Sequence, residues 1–469
     1  MGRIGSILSS AERRLLYQLT KIDAASALAS FRLATQRRVN YPRDDPAAFL
    51  TLSLFQQRLN AAGATMANVT AASSRLTQAQ TAIGQIRSQL NTIRTELLKD
   101  ENRTLTPSQR AQSQATIDAA ITQIDVLAGT RIDGRAMLDG SADFIVSGRN
   151  ASQVRELYAC SKPPGSSMSI SGTVTQAATQ AELVYTGDAG SPPHPTADAT
   201  FTLTGKRGST TFSVTTAQTL SQVADAINEK SHLTGVKASV DANQLTFSSV
   251  DYGSAAGISI TVTSGTFNVA GTGTAVDAQA TINGQSHTGN GNHFSVSDNG
   301  FVFQMEVAGG FSGEFAAMTV SGDALRYQLS TSLAHPDTLA IPSLLAARLG
   351  GTSGRLDQIA TGGPYSGLDA NTSRAIRIVD EALGKLDLAE GVVDGFYNAS
   401  VTSSSSLLTQ LQSDLEDSIA ATDGFSQEEE TALLDHYSDL AANTVAGLTI
   451  LGQQRSLLVD MIKQVAGLL

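Results

Sequence analysis

Two heptad-stepped seams, one toward each end, constrain this chain more than any other feature. From Val69, small or apolar residues recur at steps of three and four through Ala72, Leu76, Ala79, Ile83, Ile86, Leu90, Ile93 and Leu97. Near the other terminus the same stepping runs Leu434, Tyr437, Ala441, Thr444, Leu448, Leu451, Arg455, Leu458, Ile462, Val465 and Leu469. A seam that returns about every 3.5 residues needs a partner helix along its length. No helix buries its own stripe, so these pack on each other, on copies of the chain, or on both. An exposed stripe of this kind forfeits on the order of 10 kcal/mol.

The remaining totals fit narrow seams better than one large core. The chain has 469 residues, 5% aromatics and no Trp. Its formal net charge of -11 argues against nucleic acid and against an anionic membrane surface as main partner. No segment approaches the ~20 apolar residues that span a bilayer. The opening Met1-Gly2-Arg3-Ile4-Gly5 reaches Arg13-Arg14 without the pattern of a cleaved signal. The single cysteine, Cys160, allows no intrachain disulfide. That suits passage through an oxidising space and a reducing compartment equally.

Residues 5–38 read as a helix with a loose stripe of Leu15, Leu19, Ile22, Leu28 and Leu33. Pro42 and Pro46 break it, and Asp44 or Asp45 can cap the next helix, with Pro46 at its first position. That helix should reach Lys99. Thr106-Pro107-Ser108-Gln109 is a capping box whose helix stops at Gly129. Arg131 to Gly140 reads as a hairpin marked by Asp-Gly pairs. From about 165 to 335 alternation replaces helical stepping. Within it, Phe201 and Leu203, Phe212 and Val214, a capped helix from Leu220, Val236 to Val240, and Leu245 and Phe247 make a ββαββ module. Ile258, Ile260 and Val262 extend its sheet, and Phe294 to Val307 form a second β-rich stretch.

Helix returns near 371 with Ile376, Val379, Leu383, Leu386, Val393 and Tyr397, a pattern matching 69–97 and able to pack antiparallel to it. Past Ser403 the register slips by one place at Leu408, Leu411 and Leu415. Ser426 with Glu429 caps the last helix. The fold class is therefore α+β: long terminal helices in a coiled-coil bundle, with central β-rich inserted domains. The expected division is a terminal assembly domain over 1–45 and 424–469, a helical bundle with hairpin over 46–150 and 370–423, and a central β-rich surface domain over 151–369.

Nothing in the pattern carries catalysis, a metal or a cofactor. His194, His232, His287, His293, His335 and His436 fall into no ligand spacing. Asp44 and Asp45 are neighbours whose side chains point apart, which suits capping and pairing with nearby arginines rather than a shared proton. Gly350 to Gly354 is glycine-rich but lacks the lysine of a phosphate loop.

Arg38-Val39-Asn40 followed by Asp44-Asp45 and Ala47-Ala48, between a first helix and a long second one, resembles the signature of bacterial flagellins. Ile83 to Leu98 and Arg110 to Gly140 resemble the rest of their N-terminal helical domain. Residues 200–255 resemble the small module inserted in many flagellins and hook proteins, through Phe201-Thr202-Leu203-Thr204-Gly205, Val223 to Asn228 and Tyr252-Gly253-Ser254. Ile341-Pro342-Ser343 with Leu349-Gly350-Gly351 resembles the return into the C-terminal helices. Pro42 and Pro46 are more similar to the hook–filament junction branch, hook-associated protein 3, whereas the inserted module is similar to filament flagellins.

The resemblance implies an extracellular flagellar subunit for swimming motility, exported unfolded by type III secretion, with terminal helices lining a helical tube. It implies homopolymerisation, contact with hook-associated proteins and an export chaperone, and no cofactor. The expected assembly interface is Leu15, Leu19, Ile22, Leu448, Leu451, Leu458, Ile462 and Val465. The family motif rests on Arg38, Asn40, Asp44 and Asp45. Arg94, Glu96 and Leu97 correspond loosely to the stretch that an innate immune receptor reads in relatives. The alternatives are the hook–filament junction protein and a secreted adhesin with a β-rich binding domain.

Overall fold

The computed structural model describes residues 9–100, 104–163, 165–322, 324–332, 336–368 and 371–465. His335 and Leu469, and residues 5–8 of the first expected helix, lie outside them. The chain forms two compact units, Met1–Ala67 with Ser406–Leu469, and Asn68–Ser405.

In the first unit, α1 (Ser10–Thr35) and α8 (Gln427–Val465) run antiparallel, since Glu12 meets Arg455 and Arg32 meets Glu430. Ser9 opens α1 through a capping box with Glu12. The helix ends at Thr35 rather than 38, with Gln36 in the left-handed region at φ 53°. The start of α2 (Pro46–Leu98) and most of α7 (Ser403–Asp423) complete the unit, burying Leu52 and Ala62 on one helix and Leu408 and Leu415 on the other. Pro46 occupies the first position of α2, where its missing N–H costs nothing.

In the second unit the seam from Val69 to Leu97 is the helical core, and every residue of it is at most 3% exposed. It faces α6 (Thr372–Phe396), which runs antiparallel to it, and α3 (Pro107–Ala128) packs beside them. Along that contact Gln80 donates to Asp394 at 2.7 Å, Arg87 pairs with Asp387 at 2.6 Å and with Glu390, and Arg94 pairs with Asp380 at 2.9 Å.

A π-helical turn, Tyr397–Thr402, joins α6 to α7. Thr402 Oγ1 and Ser403 Oγ donate to the carbonyls five residues back, of Tyr397 and Asn398. A π turn inserts one residue into the helical count. This is why the apolar step slips by one past Ser403. Asp133 and Gly134, both at positive φ, turn the hairpin Arg131–Ile132/Arg135–Ala136.

The β region holds two cores. Around the first close a five-stranded sheet and a three-stranded one, the latter ordered His293–Asp298, Phe301–Val307, Val154–Ser161. Phe294, Phe301, Phe303 and Met305 fill the space with Ile170, Phe315 and Met318. The second core holds the ββαββ order, with one difference from expectation: its two hairpins do not share a sheet. Ala199–Gly205 pairs with Gly208–Val214 on one edge and Ser259–Gly265 on the other, while Gln244–Ser249 pairs with Val236–Asp241 on one edge and Glu182–Thr186 on the other. Each hairpin takes a partner strand from a different side of the module in sequence. Between the two sheets, α4 (Leu220–Glu229) and a stack of Phe201, Phe267 and Tyr185 fill the core, with ring centroids 4.4 and 3.9 Å apart. The short α5 (Ser231–Thr234) follows.

Candidate assembly interface

The facing seams of α1 and α8 are not purely apolar. On α1 the alternating step of three and four is held by buried or half-buried Glu12, Leu15, Leu19, Ile22, Ser26, Ala29 and Leu33, with Ala25, Arg32 and Thr35 half-buried beside them. On α8 it is held by Glu430, Leu434, Tyr437, Ala441, Thr444, Leu448 and Leu451, with Gly447 and Gly452 half-buried beside them. Leu28, expected on the stripe, is 40% exposed, because Ser26 and Ala29 carry the heptad there.

Both ends of the seam close on an ion pair. Arg32 Nη1 lies 3.0 Å from Glu430 Oε1, and Arg455 Nη1 lies 3.4 Å from Glu12 Oε1. Hydrogen bonds from the Ser9 backbone, then from its side chain, and the Arg455 charge outweigh desolvation and hold the Glu12 carboxyl below the usual range. Charged groups at seam positions set register, because any slip leaves them unpaired. Periodicity alone passes over them, since it scores apolar residues. A charge that falls on the three-four step was the available signal.

Of the expected interface residues, Leu15, Leu19, Ile22, Leu448 and Leu451 are half-buried in this pair. Leu458, Ile462 and Val465 lie beyond Arg455 and are 58%, 62% and 89% exposed. Leu457 and Met461 beside them are exposed as well. The outer side of α1 carries exposed Leu16, Tyr17, Leu28 and Phe31.

The motif residues build the connection between α1 and α2. Backbone N–H groups of Arg38 and Val39 donate to the two carboxylate oxygens of Asp423 at 2.8 and 2.9 Å. The Arg38 guanidinium donates to the carbonyls of Thr422 and Asp423 and lies 3.7 Å from Asp45. Asp44 accepts from the backbone of Tyr41 and Asn40, and these bonds with the Arg43 and Arg32 charges lower its pKa against desolvation. Asp45 caps α2 by accepting from Ala48 N at 3.0 Å. Asn40 donates to the Arg37 carbonyl. Asp423, 6% exposed, thereby ties the segment after α1 to the C-terminal end of α7.

Arg94, Glu96 and Leu97 are engaged within the second unit. Arg94 pairs with Asp380, Glu96 accepts from Ser113 Oγ at 2.8 Å and pairs with Lys99, and Leu97 is 3% exposed. Desolvation pushes the Cys160 thiol up to about 11, which leaves it a poor nucleophile. Among the described residues no group of His, Cys, Asp and Glu is placed to hold a metal, and no helix is long and apolar enough to cross a membrane.

Residues 9–143 match the bacterial flagellin N-terminal helical region, and residues 200–251 match the flagellin hook IN motif. Both matches are to regions of the flagellin family, whose members are extracellular structural components that polymerise in the bacterial flagellum.

No curated protein matches the chain. Among solved structures, the D2-D3 domains of the flagellar cap protein FliD from Escherichia coli are similar at 18% identity over 39% of this chain and 100% of that one, with a TM-score of 0.28. FlgL from Xanthomonas campestris is similar at 10% identity over 78% and 98%, with a TM-score of 0.28. Flagellar hook associated protein-3 from Legionella pneumophila is similar at 13% identity over 85% and 99%, with a TM-score of 0.23. Likenesses this slight carry no weight for function.

Proposed function

We propose that this chain is the repeating subunit of the flagellar filament. The observation that supports this most is the apolar surface left open on the α1/α8 pair in two directions. Leu458, Ile462 and Val465 extend past the end of α1, and Leu16, Tyr17, Leu28 and Phe31 line its side. A subunit that repeats along a filament meets like neighbours above, below and beside it. A subunit confined to one junction ring meets its own kind only beside it. In this reading residues 1–45 and 424–469 form the assembly domain, 46–150 and 370–423 a supporting bundle, and 151–369 the outer surface. An export chaperone would cover the same C-terminal stripe before assembly, and hook-associated proteins would hold the filament base. Leu97 is part of the bundle core, so the loosely receptor-like stretch is structural in this proposal.

The second reading is the hook–filament junction protein, favoured by Pro42 and Pro46 around Asp44 and Asp45. Disrupting the gene and complementing it separates the two. A filament subunit leaves bare hooks when absent and makes up the bulk of sheared filaments when restored. Filaments of another subunit, shed intact while this chain is found only in trace amount, would assign the junction. Removal of residues 165–335 that abolishes surface adhesion and spares motility would instead point to the adhesin.

A further inference from the structure

Where the inserted module rests on α6, positive charge collects against the sign of the whole chain. Arg374 and Arg377 share one face of α6, at i and i+3. Arg207 comes from the turn between Ala199–Gly205 and Gly208–Val214, and Lys237 from Val236–Asp241. The carboxylates here are already engaged. Asp380 pairs with Arg94 at 2.9 Å and Arg207 at 3.4 Å, and Asp251 pairs with Lys206 at 3.6 Å. Glu381 accepts from Ser353 N at 2.9 Å and Ser353 Oγ at 2.7 Å.

Arg377 is 5% exposed, yet among the described residues its hydrogen bonds run to hydroxyls. Its Nη1 donates to Ser231 Oγ, which donates on to the Asn228 carbonyl. Its Nε donates at 3.4 Å to Ser353 Oγ, whose proton goes to Glu381. Arg374 spends Nε on the Ser353 carbonyl at 2.8 Å and stacks its guanidinium 3.7 Å from the Tyr365 ring centre. Lys237 is exposed on Val236–Asp241 and forms no ion pair with the described residues. Desolvation first, then repulsion by Arg377 and Arg374, hold its ammonium below the usual lysine range. Desolvation, with repulsion from Arg207 and Arg374, likewise brings Arg377 down to about 10. With no carboxylate of the described residues in contact, a charge buried this deeply is costly unless an anion completes it.

We propose that Arg374, Arg377 and Lys237 form a binding site for a tetrahedral oxyanion of the phosphate or sulfate class, which pins the inserted module to α6. Two guanidinium groups offer directional N–H donors and the ammonium supplies a further positive charge, a combination that suits such an ion.

The test titrates the purified full chain with inorganic phosphate, and separately with sulfate, by calorimetry at constant ionic strength against chloride. One ion should bind saturably per chain. Lys237→Gln, a surface substitution that spares the core, should weaken binding about tenfold or more, and Arg374→Gln should do the same. Arg75→Gln, which removes a remote arginine paired with Asp133, should leave it unchanged. Circular dichroism checks each fold, and the Lys237 variant decides alone if Arg374→Gln does not fold. Absence of saturable binding in the wild type, or equal binding by wild type and Lys237→Gln, would overturn the proposal.

Discussion

Replacing Leu458, Ile462 and Val465 together by Ser separates a role in assembly from a role within the monomer. These side chains are 58%, 62% and 89% exposed in the single chain, so most of their apolar surface is still in water. Complete burial of such a side chain yields about 1.5–3 kcal/mol. Covering the more than half that remains open here therefore yields about 1–2 kcal/mol each, or about 3–6 kcal/mol per subunit. At about 1.4 kcal/mol per decade, the critical concentration for polymerisation should rise by about 10²- to 10⁴-fold. The monomer has little to lose, and its unfolding midpoint should be unchanged. Sedimentation of polymer against total protein gives the first quantity, and a thermal melt of the depolymerised chain gives the second. The reasoning fails if the triple variant polymerises at the wild-type concentration. It fails equally if the monomer is destabilised as much as the polymer, because the stripe would then be internal.

Three further outcomes follow from particular residues. Glu430→Ala strands the partly covered Arg32 guanidinium and should cost about 1–3 kcal/mol, a buried-pair value reduced for the 21% exposure of Arg32; amide exchange in α1 and α8 reads it, and Arg32→Leu with Glu430→Leu should recover most of the loss. Ile83→Ala removes a fully buried seam residue and should lower the stability of the second unit by about 2–5 kcal/mol in urea unfolding. Asp143 is pushed up to about 7 by desolvation, against a backbone hydrogen bond and the Arg348 charge. Because the folded pKa is raised, its stabilising protonated form is present below the unfolded value near 4 and is lost as pH rises toward about 7. Asp143→Asn should therefore match wild type near pH 4 and exceed it by about 2–4 kcal/mol at pH 8, and equal slopes of stability against pH for both proteins would refute the assignment.

Much of the helical part was legible because its signals are local. The step from Val69 to Leu97 predicted a core that is buried throughout. Thr106 with Gln109, and the cap before Leu220, predicted helix starts that the structure closes with both reciprocal bonds, the second through Thr219 and Gln222. Asp133-Gly134 marked a turn that requires positive φ at both residues. Even the one-residue slip past Ser403 was visible, although its cause, a π turn, was not. Each of these is written within a few residues of chain, where spacing and backbone preference act directly.

The sequence by itself therefore determined the helices, their caps, the alternation of the central strands and the need for a partner along each seam. Tertiary structure decided which strands share a sheet, that Asp423 holds Arg38 and Val39, that Glu12 and Glu430 lock the ends of the α1/α8 pair, and that Arg377 lies buried between α6 and the inserted module. Those contacts join residues far apart in the chain. A charge or strand edge has no preferred partner until folding brings one within bonding distance, and a local pattern holds no record of that distance.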